Sequence, residues 1–97
     1  MAEWTFLTNH GHAIVMLARD PEARIRDIAQ GIGITERAAQ RIVNDLVEAG
    51  YLTRERVGRR NRYSIDPSVP LRHPLEQEHG VGDLLKAVAE GPPRARG

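Results

Sequence analysis

Apolar residues recur at helical spacing in four stretches of this chain, and a shorter stretch of two strands separates the third from the fourth. The most regular is Ile34–Gly50 (ITERAAQRIVNDLVEAG), where Ala38, Ala39, Ile42, Val43, Leu46 and Val47 make one stripe. Glu36, Arg37, Gln40, Arg41, Asn44, Asp45 and Glu48 lie opposite it. Thr35 is suited to cap this helix through its hydroxyl, and Gly50 to stop it in a left-handed conformation, so the spacing predicts a helix over 35–49. Upstream, Thr8 or Asn9 can cap a first helix that ends near Arg19, before Asp20-Pro21. Its Ala13–Ala18 run is apolar nearly all round, which predicts burial on several faces, between the core and a partner subunit. Ala23–Arg24 reads as a very short strand. Ile25–Gly31 reads as a second helix with Ile25, Ile28, Ala29 and Ile32 inward, although Arg24 is a poor N-cap. Downstream, Tyr51–Val57 and Arg62–Ile65 read as strands around a Gly58–Asn61 turn, with Leu52, Tyr63 and Ile65 toward the core. Asp66–Pro74 holds three prolines and reads as an extended connector. Val81–Glu90 reads as a short helix with Val81, Leu84, Leu85 and Val88 on one side.

These elements predict a mainly α fold with a small β-hairpin (α+β). One domain spans 1–90, with its core at 8–66 and a C-terminal helix at 81–90, and a disordered tail follows at 91–97. Ninety-seven residues suffice for one modest core, and a chain this short gains from pairing with a second copy. The absence of cysteine excludes disulfides and thiolate metal sites. No apolar run reaches membrane-spanning length and no signal peptide is visible, so a cytoplasmic protein without membrane association is expected. Trp4 and Phe6 either pack onto the domain or form a dimer contact.

Net charge is +1, but its distribution is uneven. Residues 35–65 carry seven arginines and four acids, whereas 1–34 and 66–97 are each at −1. Arg37, Gln40, Arg41 and Asn44 form the exposed face of the first half of the third helix and are suited to read base edges or hold phosphates. The competing reading is a solvated face paired to Glu36, Asp45 and Glu48. The hairpin sets Arg54, Arg56, Arg59, Arg60 and Arg62 against the single acid Glu55. Those arginines suit a phosphate backbone or a narrow minor groove, and they would also protect an exposed strand edge. His10, His12, His73 and His79 read as surface or capping residues, because no neighbouring donors complete a metal set. No phosphate loop, paired-carboxylate motif or nucleophile elbow is present, so neither catalysis nor a cofactor is expected.

Ala29, Gly33, Ala39 and Ile42 fall at relative positions 1, 5, 11 and 14. A small residue where two helices cross, a glycine in the turn and two apolar locks make a helix-turn-helix pattern. The segment RDIAQGIGITERAAQRIVNDLVEAGYLTRERVGRRNRY resembles the DNA-binding core of MarR-type and related ArsR-type bacterial transcription regulators, over roughly residues 8–66. The resemblance implies a winged helix-turn-helix fold and a homodimeric regulator bound to double-stranded DNA. It implies that Thr35, Arg37, Ala38, Gln40, Arg41 and Asn44 face the major groove, and that Arg59, Arg60 and Arg62 are wing contacts. The first helix, the last helix and the Trp4/Phe6 segment would form the dimer interface. The chain departs from full-length MarR proteins in its short flanks, and from ArsR proteins in lacking cysteine. A small-molecule effector is compatible with the resemblance, but no residue pattern indicates one. The alternative is a winged helix used as a protein-interaction module without DNA binding.

Overall fold

The computed structural model describes residues 3–89. The predicted tail at 91–97, and Glu90 at the end of the predicted last helix, lie outside them. The elements in order are α1 (Asn9–Arg19), α2 (Ile25–Ile32), α3 (Glu36–Glu48), β1 (Leu52–Val57), β2 (Arg60–Ile65) and α4 (Val81–Val88).

Thr8 starts α1: its hydroxyl accepts from the Gly11 amide at 3.2 Å. Ala13, Ile14, Val15 and Leu17 are buried, and α1 packs against α2, α3 and α4 of the same chain. The burial expected on several faces is thus met within one chain, without a partner subunit. The expected strand at Ala23–Arg24 does not form. The Ala23 amide is taken by a turn, donating to the Asp20 carbonyl at 3.0 Å, and the backbone bond from the hairpin to this region, from the Tyr63 amide at 2.9 Å, goes to Pro21 instead. α2 solves its poor N-cap from the third helical position: the Asp27 carboxylate accepts from the Arg24 amide at 3.1 Å, where the helix dipole also favours an acid.

Gly33 closes α2 at φ 90°, a conformation that strains any residue with a Cβ. Its amide and that of Ile34 both donate to the Ala29 carbonyl, at 2.8 and 3.0 Å. The chain then enters α3 at the N-cap Thr35, whose hydroxyl accepts from the Ala38 amide at 3.1 Å. Ala29, Ala39 and Ile42 are all buried, as the helix-turn-helix spacing requires.

β1 and β2 pair antiparallel with Leu52 opposite Ile65 and Val57 opposite Arg60. The turn is therefore two residues, Gly58-Arg59, and not the four expected over Gly58–Asn61. Gly58 has φ 64° while Arg59 keeps a negative φ, the requirement of a type II′ hairpin turn, which matches strand twist. Leu52 and Tyr63 are buried and Ile65 half-buried. Tyr51, just before β1, is also buried, and its hydroxyl donates to the Pro70 carbonyl.

The connector doubles back instead of staying extended. Pro70 bridges Gly80, the Leu71 amide donates to His79, and the Val81 amide donates to Val69. This return lays α4 on α1, burying Val81 and Leu85 and half-burying Leu84. Val88, expected on the same side, is 40% exposed because the helix leaves the core there. The Arg19 guanidinium donates to its carbonyl at 3.0 Å, satisfying one of the free acceptors at the helix end. Leu17, Ile28 and Val43, one from each of α1, α2 and α3, are the largest fully buried side chains. The core therefore sits where those three helices meet, and the hairpin base and α4 close its edges.

Candidate nucleic-acid interface

The buried face of α3 dictates what its other face presents. With Ala39, Ile42, Val43 and Leu46 held in the core, Arg37, Gln40, Arg41 and Asn44 are exposed. Thr35 is exposed with its hydroxyl committed to the cap, and Ala38 is half-buried beside the groove that flanks the helix. The competing reading paired these arginines with neighbouring acids. Asp45 instead turns to α1, where the His10 ring nitrogen Nε2 lies 2.9 Å from its Oδ2. Among the described residues, no arginine of α3 or the hairpin lies within ion-pair distance of a carboxylate. Arg37 and Arg41 therefore carry unneutralised charge on a helix whose back is fixed.

Asn44 is not free in the way its neighbours are. Its Oδ1 accepts from Gln40 Nε2 at 3.1 Å, one turn back, and from Arg54 Nη1 of β1 at 3.0 Å. The helix and hairpin are thus joined at their exposed surfaces as well as through the core.

The hairpin register divides its arginines. Opposite residues share a face, so Arg54 and Arg56 stand on the face of Leu52, Tyr63 and Ile65, whereas Arg60 and Arg62 stand on the other with Thr53, Glu55 and Val57. Arg59 occupies the turn. Arg56 Nε donates to the Gly58 carbonyl and Arg60 Nη2 to the Glu22 carbonyl, at 3.0 and 3.1 Å. Arg59 and Arg62 are exposed, and no side-chain hydrogen bond holds either among the described residues. The structure therefore brings Arg37, Gln40, Arg41, Asn44 and Arg54 together and does not gather all five hairpin arginines on one surface.

His10, which reads in the sequence as a surface or capping residue, is on the surface, but its partner Asp45 is one the sequence does not point to. The two stand 35 positions apart, and no local pattern connects them. The same pair borders a cleft of about 660 Å³ between the start of α1, the end of α3 and the start of α4, with Leu7, Ile14, Leu46, Leu71 and Leu84 among its lining. Trp4 and Phe6 do not pack onto the domain: they are 69% and 92% exposed and meet each other edge to face, with ring centroids 5.1 Å apart. Among the described residues no three His, Asp or Glu side chains cluster as a metal set would require. No helix among them is long and apolar enough to cross a membrane.

A family model described as "MarR family" matches residues 6–62, more than half of the chain. The fold is similar to the crystal structure of the zinc-dependent MarR family transcriptional regulator AdcR in its Zn(II)-bound state, with a TM-score of 0.51 and 20% identity. That match covers 92% of this chain and 52% of the solved one, so the chain spans about half the regulator's length. Both share the winged helix-turn-helix arrangement. No curated protein matches the chain.

Proposed function

The chain belongs to the MarR family, and from that premise we propose that it is a sequence-specific DNA-binding transcription regulator, acting as a homodimer and not as an enzyme. The N-terminal half of α3 enters the major groove. Arg37 and Arg41 meet guanine O6 and N7 or phosphates, and Gln40 and Asn44 meet base edges. Thr35 and Ala38 border the backbone at the helix start. Arg59 and Arg62 at the outer hairpin lie along phosphates or in the minor groove, with Arg54, Arg56 and Arg60 behind them.

The observation that carries this reading is the state of Arg37 and Arg41: exposed, unpaired with any described acid, and mounted on a helix whose opposite side is core. The exposure of Trp4, Phe6 and Val88 supports a second copy, which would give them apolar cover. One copy measures 37 × 32 × 26 Å, so two side by side suit reading helices about 34 Å apart, one turn of duplex.

The test is a gel shift on genomic fragments at two salt concentrations, with light scattering on the free protein. Binding at low salt that weakens steeply as salt rises, by a dimer, is the expected result. No binding to any fragment at low salt would turn the reading toward a protein-interaction module.

A further inference from the structure

We propose that Arg54, a hairpin residue, sets the hydrogen-bond polarity with which Gln40 and Asn44 meet bases. This rests on the DNA-reading role of α3 given above. A guanidinium has donors only. The Asn44 atom facing Arg54 Nη1 at 3.0 Å must therefore be its oxygen. Gln40 reaches the same oxygen at 3.1 Å, so the Gln40 atom pointing there must be its amide nitrogen. One charge from a different element thus orients two amides in succession.

The orientation has a chemical consequence. An asparagine that holds adenine in two places needs both its oxygen and its nitrogen free. Asn44 has both lone pairs of its oxygen engaged and offers only Nδ2, a donor. It therefore favours acceptor edges, such as guanine O6 and N7 or thymine O4. Gln40 has turned its nitrogen toward Asn44 and presents Oε1, which favours the amino groups of adenine or cytosine. Arg54 is a positioning residue for specificity, although it stands on the wing and need touch no base.

The experiment is selection of bound duplexes from a randomised pool by the full chain and its Arg54→Lys, Arg54→Met and Arg54→Glu variants, each checked for an unchanged melting curve. Arg54→Lys, still donor-only, retains the wild-type base profile. Arg54→Met loses discrimination at the base pairs read by Gln40 and Asn44, by about five- to tenfold, while other positions keep theirs. Arg54→Glu turns Asn44 around and moves preference there toward donor edges. If Arg54→Met keeps the wild-type profile and loses only overall affinity and salt dependence, Arg54 is a phosphate contact and the proposal fails. Wild-type protein that binds no duplex at low salt would instead defeat the DNA reading itself, an outcome distinct from a profile that does not change.

Discussion

α3 and the β1–β2 hairpin both carry arginine to the surface, yet they are held in opposite ways. α3 buries four of its thirteen residues, spread along its length. The hairpin buries only Leu52 and Tyr63, both near its base, and its outer half stands in solvent. Local opening free energy follows buried contact, so the hairpin tip is the easier part to displace. Reading bases needs a side chain placed to within a fraction of an ångström, which a helix cemented on one side supplies. Gripping a phosphate needs reach and charge, which a loosely held ribbon supplies.

The comparison breaks most severely if the cement is removed. Ile28→Ala empties the centre of the three-helix core and should cost about 2–5 kcal/mol, measured by urea unfolding. Val57→Ala near the hairpin tip should change stability by less than about 0.5 kcal/mol. Equal losses would mean that the hairpin tip is held as firmly as the helices are. Next in size, Arg41→Ala should relax preference at one base pair by about 1–3 kcal/mol, seen in competition binding between single-base variants. A smaller effect, about 1 kcal/mol, is expected in thermal unfolding of Thr35→Ala, since the freed Ala38 amide loses its partner. Thr35→Ser should restore it.

The smallest effect lies away from both regions and serves as a baseline. The Ser68 hydroxyl, and then the Ser68 amide, donate to Asp66 and hold its carboxyl below the ordinary value of 3.8. A depressed carboxyl stabilises the fold above its unfolded value and loses that contribution as pH falls through its folded one. Asp66→Ala should therefore lower Tm slightly at neutral pH, with a gap that closes below about pH 3.8. A gap that widens in acid would contradict the assignment.

Much of the helical half was readable because its determinants are local. Thr35 capped where expected, Gly33 took the positive φ of the turn, and Ala29, Ala39 and Ile42 became buried at their predicted spacing. Arg24 looked like a flaw in α2 only because the compensating acid stands three residues later. The hairpin was harder. Gly58 marked the turn, but whether the loop holds two residues or four depends on strand register, which slides without changing composition. The division of the arginines between two faces follows from that register. The Arg54–Asn44 and His10–Asp45 contacts join residues ten and 35 positions apart and exist only once α1, α3 and β1 are assembled. The return of the connector at Pro70 was hidden in the same way, since three prolines suggest extension but not its direction.

The most direct measurement is the salt dependence and base preference of Arg41→Ala set beside those of Arg62→Ala on one duplex. Arg41→Ala should flatten preference at a single base pair. Arg62→Ala should weaken every sequence alike and reduce the slope of log affinity against log salt by about 0.9. If both variants lose affinity uniformly, with no base pair released by Arg41→Ala, α3 is no more a reader than the hairpin is.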